Sequence, residues 1–264
     1  MKIALTIAGS DSGGGAGIQA DLKTFHQFGV FGTSAIVALT AQNTRGVRAV
    51  HAAPVEIVRQ QLDALADDLP PDAVKTGMLA EVPLVRLVAA VVRERGWAPL
   101  VVDPVMVATS GDRLLSAAAE SVVRSELLPL ATIVTPNLDE AELLTGRVVR
   151  DVEAMERAGR YLMELGAGAA LVKGGHLAGP TIVDLLVSAD GVRRFERPRI
   201  HTTSTHGTGC TLSAGIAAGL ALGRPLDDAV ETAIDFVHRA MESAPALGGG
   251  HGPLNHQVAP SILR

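Results

Sequence analysis

The sequence predicts an α/β fold in which helices cover both faces of a mostly parallel, doubly wound sheet. Short apolar runs alternate with amphipathic segments along the chain, and each helical segment separates two predicted strands. Hydrophobic residues make up 47% of the 264 residues but aromatic residues only 3%, so the core must consist mainly of Val, Leu, Ile and Ala. Such a core suits parallel strands that are buried on both faces.

The elements follow from the spacing of apolar residues. Strands are predicted for residues 1–8, 34–39, 100–103, 132–135 and 170–173. Helices are predicted after the glycines at 13–15, over 54–66 and 81–95, and from Thr208 and Leu226 onward. Residues 182–187 and 192–195 flank Ala189-Asp190-Gly191, which predicts a late β-hairpin. The aperiodic segment 248–256 is expected to form a flap, and residues 1–264 are expected to form a single domain.

Composition narrows the classes of partner. The net charge is −5 and basic residues form no run, which argues against a nucleic-acid surface and favours a small molecule. The apolar run after Lys2 is too short for a secretory signal, and no uninterrupted apolar stretch approaches the ~18 residues of a membrane span. Cys210 is the single cysteine, so it has no intrachain disulfide partner. We therefore expect a cytoplasmic protein that does not bind membranes.

Polar residues follow four of the predicted strands where each strand ends. They are Gly9-Ser10-Asp11, Asp103-Pro104, Thr135-Pro136-Asn137 and Lys173-Gly174-Gly175-His176. In an open parallel sheet, ligands bind beyond the carboxyl ends of the strands. Each polar group alone is equally typical of a simple turn, but their joint occurrence predicts a ligand site at this edge.

The loop GSDSGGGAGIQAD, residues 9–21, lies between the first strand and a helix. Its segment Gly15 to Ala20 matches the G-x-G-x-x-A dinucleotide fingerprint, which also needs an acidic residue about 20 positions later. No Asp or Glu occurs from Leu22 to Val55, and no Lys-Ser or Lys-Thr follows the glycines as a Walker A motif requires. The loop is therefore expected either to let backbone approach a ligand or to form a long turn.

The segment Thr205-His206-Gly207-Thr208-Gly209-Cys210 opens the predicted helix at Thr208. A glycine-rich turn into a helix exposes free N–H groups at the positive end of the helix dipole, which predicts an anion site for a transferring phosphoryl group. The same field is expected to lower the pKa of Cys210, so that a thiolate could accept a proton from a substrate hydroxyl.

A third group of residues suits a hydrated Mg²⁺. Asn137 and Glu140 lie three residues apart at a predicted helix start, and Asp103 ends a neighbouring strand. The alternative is that Asn137 caps the helix and Glu140 completes a capping box, and the two roles are compatible.

Seven motifs together resemble one known family. They are AGSDSGGGAGIQADLKTF near the start, AQNT at 41–44, KTGML at 75–79, VDPVM at 102–106, TPNLDEAE at 135–142, KGGH at 173–176 and STHGTGC at 204–210. In this order they resemble the hydroxymethylpyrimidine/phosphomethylpyrimidine kinases of thiamine biosynthesis, within the ribokinase-like superfamily. The resemblance extends to about His256 and implies a three-layer sandwich.

The resemblance also implies an activity and a set of site residues. It implies two ATP-dependent phosphorylations, first of 4-amino-5-hydroxymethyl-2-methylpyrimidine and then of its monophosphate, with Mg²⁺ and a homodimer. The base is Cys210, where most ribokinase-like kinases carry Asp. The pyrimidine site corresponds to Gly9, Asp21, Gln42 and Met78, with Ala16 and Thr40 beside it. The remaining roles fall to Asn137 near the nucleotide phosphates, Asp103 and Glu140 at the metal, Lys173 at the transferring phosphate, and Thr205, Gly207, Thr208 and Gly209 in the anion hole.

Three other functions remain open. A pyridoxal or pyridoxine kinase of the same fold would accept an alcohol of similar size. An NAD-dependent oxidoreductase is disfavoured because the acidic residue for the ribose is missing. A ligand-binding protein without turnover would bind the pyrimidine but release no ADP.

Overall fold

The computed structural model describes residues 1–106 and 115–261. Its strands, nine within these ranges, are β1 (Ile3–Asp11), β2 (Phe31–Asn43), β3 (Gly46–Ala52), β4 (Ala73–Thr76), β5 (Leu100–Val102), β6 (Ile133–Val134), β7 (Ala170–Val172), β8 (Thr181–Ser188) and β9 (Gly191–Pro198). They form one sheet in the order β3-β2-β1-β4-β5-β6-β7-β8-β9. The six strands from β2 to β7 in this order run parallel, while β3, β8 and β9 pair antiparallel with their neighbours.

Helices cover both faces of the sheet, as predicted. They are α1 (Gly17–Gln27), α2 (Val55–Asp68), α3 (Val82–Arg95), α4 (Ala117–Val122), α5 (Leu138–Thr145), α6 (Val152–Glu164), α7 (Thr208–Ala221) and α8 (Leu226–Glu242). One core packs α2, α3 and α4 against the sheet, and a second core packs α1, α7 and α8 against the opposite face. The three-layer α/β architecture is therefore confirmed. In the ranges described above, no helix is both long and apolar enough to cross a membrane.

Helix α7 lies close to α8 because small residues face one another between them. A Cβ on Gly215 would lie 2.9 Å from the Ala233 Cβ, and one on Gly219 would lie 2.8 Å from the Ala229 Cβ. Ten of the fourteen α7 residues are buried, as expected of a helix that is apolar on nearly all sides. This packing fixes the position of the first turn of α7, which carries Cys210.

Two strands were missed by the sequence analysis. Strand β3 is an edge strand whose central residues are exposed, so it lacks the alternation that marks a half-buried strand. Strand β4 is only four residues long, and Lys75 interrupts its apolar pattern although all four residues are buried. The predicted late hairpin is confirmed as β8 and β9, which turn between Ser188 and Gly191.

Candidate active site

The carboxyl ends of the parallel strands bring the predicted polar residues together. Asp11 ends β1, and Asp103 follows β5. Asn137 follows β6 and forms a backbone bridge with Lys173, which follows β7. The four strand ends therefore lie on one edge of the sheet, as the sequence predicts.

The first turn of α7 meets this edge. Gly207 precedes the helix in a left-handed conformation with φ of 83°, and a Cβ there would lie 1.8 Å from the carbonyl oxygen of Gly15. On the other side, a Cβ on Gly209 would lie 3.2 Å from Lys173 Nζ. The Thr208 hydroxyl donates to the Thr205 carbonyl at 2.6 Å, which closes the turn. The predicted anion-hole residues thus lie between the opening loop and Lys173.

Cys210 lies in the first turn of α7, and the backbone N–H of Gly17 at the start of α1 acts to lower the pKa of its thiol. Burial raises the pKa of the Cys210 thiol to about 11, although the buried ammonium of Lys75 acts in the opposite direction. The sequence-based expectation of a lowered pKa was therefore wrong. Desolvation, together with the nearby carboxylates of Asp21 and Asp103, outweighs the favourable groups around the sulfur.

Near the Cys210 thiol, Lys75 and Asp21 form an ion pair in which both side chains have 0% exposure. Lys75 Nζ lies 3.0 and 2.8 Å from the two Asp21 oxygens, and the Thr6 hydroxyl donates to Asp21 at 2.6 Å. Burial opposes the charge on Lys75, but Asp21 and the other nearby anionic groups raise its pKa above its usual value. Asp21 was predicted to contact the substrate directly. Its carboxylate is the counter-ion that the buried Lys75 ammonium needs, and its contact with the substrate stays a prediction.

Lys173 lies between two predicted metal ligands. Its Nζ is 3.6 Å from Asp103 Oδ1 and 3.9 Å from Glu140 Oε2. Burial favours the neutral amine, but Asp103 and Glu140 together raise the pKa of Lys173. Burial and the neighbouring Asp103 raise the pKa of Glu140, against the effect of Lys173. The cluster holds the Lys173 ammonium beside Gly209.

The capping box at the start of α5 is present. Asn137 Oδ1 accepts the Glu140 N–H at 2.9 Å, and Glu140 Oε2 accepts the Asn137 N–H at 2.8 Å. The other oxygen of Glu140 accepts the Met106 N–H at 3.4 Å. In the described part of the chain, no group of three or more His, Cys, Asp or Glu side chains is arranged to hold a metal ion.

Several of the residues predicted to bind the alcohol substrate lie on or beside β1 and β2. The Met78 Cε would lie 2.6 Å from a Cβ on Gly9, so Met78 packs directly on the Gly9 backbone. The Thr40 hydroxyl donates to the Ser10 carbonyl at 2.9 Å and lies 3.2 Å from Gln42 Oε1. Thr40, Gln42 and Ala16 are all partly exposed, so they remain accessible to a ligand.

The segment expected to form a flap lies over these loops. The His251 N–H donates to the Thr44 carbonyl at 2.7 Å, at the turn between β2 and β3. The Gly252 carbonyl accepts the His206 N–H at 3.0 Å, and His251 Nδ1 lies 3.2 Å from the Thr205 hydroxyl oxygen. The segment therefore joins the β2–β3 turn to the loop that precedes α7.

Three residues of the site were not assigned by the sequence analysis. They are Lys75, Asp11 and His206. All three lie in motifs that the analysis singled out, but their partners are 54 to 195 residues away in the chain. Sequence spacing alone gives no signal for such pairs.

Comparisons with known proteins agree with this arrangement. Residues 11–255 match the family model described as phosphomethylpyrimidine kinase. The hydroxymethylpyrimidine/phosphomethylpyrimidine kinase of Rhizobium meliloti is 54% identical over 257 residues, which cover 96% of each chain. The thiamine biosynthesis bifunctional protein ThiED of Geobacter sulfurreducens is 50% identical over 260 residues. The matched residues cover 98% of this chain but only 53% of that protein, so this chain spans about half of its length.

A solved structure is similar over nearly the whole chain. The ADP complex of Bacillus subtilis pyridoxal kinase superimposes with a TM-score of 0.91 at 38% identity and covers 97% of both chains. The chain belongs to the phosphomethylpyrimidine kinase family.

Proposed function

We propose that this kinase transfers the γ-phosphoryl group of ATP to 4-amino-5-hydroxymethyl-2-methylpyrimidine, and then phosphorylates the monophosphate to the diphosphate. One observation carries the proposal. Cys210 lies in the first turn of α7, and Gly209 in the same turn lies beside the Lys173 ammonium, which is close to Asp103 at the strand ends. We infer that this proton acceptor and this positive charge act on a ring bound by the predicted substrate residues.

The groups of the site match the steps of phosphoryl transfer. The substrate hydroxyl gives its proton to the Cys210 sulfur, its oxygen bonds to the γ-phosphorus, and the bond from phosphorus to the bridging oxygen of ADP breaks. The Gly209 N–H at the start of α7 and the Lys173 ammonium stabilise the charge that develops on the transferring group. Because burial keeps the free thiol protonated, its base form is a minor and strongly basic species that Lys75 and the Gly17 N–H stabilise.

The donor atoms fit a Mg²⁺ that accompanies the nucleotide. Mg²⁺ takes oxygen ligands and commonly uses one or two carboxylates, with phosphate oxygens and waters for the rest. Asp103 and Glu140 supply two buried carboxylates around Lys173. We expect these two residues, with Asn137 nearby, to hold the ion, which would neutralise phosphate charge.

On the substrate side, Gln42 is proposed to recognise the aminopyrimidine edge. Its side-chain amide offers both a donor and an acceptor, which match the amino group and ring nitrogen of the pyrimidine. Met78, which packs on the Gly9 backbone, provides a soft apolar wall for the ring. Ala16 and Thr40 border the same space.

The test is to identify the product by mass spectrometry after incubation with ATP and the pyrimidine alcohol. The expected product is the diphosphate, with the monophosphate as intermediate and two ADP released per substrate. Similarity to a pyridoxal kinase supports one alternative, so pyridoxal is assayed in parallel by ADP release. A clear preference for pyridoxal, or substrate binding without ADP release, would contradict the proposal.

A homodimer and a cytoplasmic location remain predictions. Phe31 and Leu39 on β2 and Val50 on β3 are about half exposed, which is compatible with contact to a second copy along this edge of the sheet. Light scattering during size-exclusion chromatography would report a mass near twice 27.3 kDa. A monomer at micromolar concentration would contradict the first prediction.

A further inference from the structure

The carboxylate of Asp11 forms four hydrogen bonds at the end of β1, and these join two loops of the site. Its Oδ1 accepts the Gly13 N–H at 2.7 Å, and its Oδ2 accepts the N–H groups of Gly15 at 3.0 Å and Ala16 at 2.9 Å. The same Oδ2 lies 2.8 Å from Nε2 of His206, in the loop before α7. Asp11 is 2% exposed and His206 is 7% exposed, so this contact is protected from water.

The carboxylate is charged and the imidazole is its donor. Burial favours the protonated acid, but the hydrogen bonds from His206, Ala16 and Gly13 lower the pKa of Asp11 below its usual value. An ionised carboxylate can only accept, so Nε2 of His206 carries the hydrogen. A charge-assisted bond of this kind is shorter and stronger than a bond between neutral groups.

The two loops that Asp11 joins hold the reacting groups. The opening loop leads into Gly17, whose backbone N–H favours the Cys210 thiolate. His206 leads into Gly207, which contacts the Gly15 carbonyl. The His206 ring also lies against Gly15, since a Cβ there would be 2.6 Å from its Cδ2. One buried carboxylate therefore fixes the start of α1 relative to the start of α7.

We propose that His206 and Asp11 act as a positioning pair. They hold the opening loop at a fixed distance from the anion hole and Cys210. Neither residue exchanges a proton with the substrate. The proposal rests on the proposed kinase function for its kinetic consequence, but the contact itself exists without any ligand. A misplacement of about 1 Å in such a site costs about 10²-fold in rate, because reacting atoms must be aligned at close range.

The experiment compares His206→Leu, which removes the donor, with His206→Gln, whose side-chain amide can still donate to Asp11. His201→Leu is the matched control, because His201 is exposed in the same connecting segment. We expect kcat to fall about 10- to 100-fold in the Leu variant, with KM for ATP and for the pyrimidine changed less than threefold. The Gln variant and the control are expected to stay within about threefold of the original kcat.

Hydrogen exchange measured by mass spectrometry provides a readout that needs no activity. In the Leu variant, peptides covering 12–17 are expected to exchange at least tenfold faster, while peptides from α3 and α8 are unchanged. If the original protein phosphorylates neither the pyrimidine alcohol nor its monophosphate, the proposed function fails. The exchange data would still show whether His206 and Asp11 hold the opening loop in place. Should the Leu variant be unfolded, His206→Asn, which is too short to reach Asp11, replaces it. The proposal would be overturned if the Leu variant kept a kcat within twofold of the original protein, or if hydrogen exchange in its residues 12–17 were unchanged. It would also be overturned if the Gln variant were as impaired as the Leu variant.

Discussion

The buried imidazole of His256 is expected to make the free energy of unfolding depend on pH. It is 7% exposed, and its Nε2 lies 2.9 Å from the Thr211 hydroxyl oxygen on α7, so it anchors the segment that follows α8. Burial, with a smaller contribution from Lys23, lowers the pKa of His256 to about 4 from 6.5, although the Leu254 backbone carbonyl, which accepts a hydrogen bond from the ring, opposes this. The folded protein therefore keeps this imidazole neutral at pH values where the unfolded chain protonates it.

The sign and size of the effect follow from proton linkage. Above pH 6.5 both states are neutral and His256 adds no pH dependence. As the pH falls from 6.5 towards 4, the unfolded chain gains a proton that the folded protein does not, so the free energy of unfolding decreases. The two pKa values give a loss of about 2 kcal/mol at pH 5 and a limit of about 3 kcal/mol at lower pH.

The assay is urea unfolding of the original protein and of His256→Gln at pH 7.5 and pH 5.0. Gln can keep a hydrogen bond with Thr211 but has no proton to gain, so the difference between the two proteins should shift by about 2 kcal/mol towards the variant at pH 5. His26→Gln is the control, because His26 is exposed on α1. A difference between the original protein and His256→Gln that stays constant within about 0.5 kcal/mol across both pH values would refute the reasoning.

Three further predictions concern the site. Cys210→Ala should reduce the first phosphorylation at least about 100-fold, but the second much less, because a phosphate acceptor is already largely ionised near pH 7; equal losses in both steps would contradict a role as base. Alkylation of Cys210, the single cysteine, by iodoacetamide should accelerate about tenfold per pH unit from pH 7 to 9.5, since only the thiolate reacts; a plateau below pH 8 would exclude the raised pKa. Gln42→Ala should raise KM for the pyrimidine and leave KM for ATP unchanged, and an unaltered pyrimidine KM would remove Gln42 from the substrate site.

The fold and the edge that carries the site follow from local signals in the sequence. The start of α7 at Thr208 is predictable because a glycine-rich turn precedes an apolar run. The meeting of Asp103, Asn137 and Lys173 is predictable because parallel strands end at one edge. Both inferences need only the order of strands and helices.

The electrostatics of the site are not predictable in this way. Lys75 lies in a buried strand where an apolar residue would be expected, and its counter-ion Asp21 lies 54 residues earlier on α1. The field at the start of α7 favours a thiolate at Cys210, but burial acts more strongly in the opposite direction. Which effect dominates depends on side chains that the fold brings together from β1, β4 and α1.

The glycines of the opening loop show how this difference arises. In the sequence, GSDSGGGAGIQAD resembles a phosphate-binding loop. In the structure, a Cβ on Gly17 would lie 2.3 Å from the Gly9 carbonyl oxygen, and one on Gly15 would lie 2.6 Å from the His206 ring. These glycines are required by contacts within the protein, which let the N-termini of α1 and α7 approach each other closely. In the proposed mechanism the loop therefore serves phosphoryl transfer indirectly, through the Gly17 N–H that favours the Cys210 thiolate, while the N-terminus of α7 and Lys173 provide the positive charge.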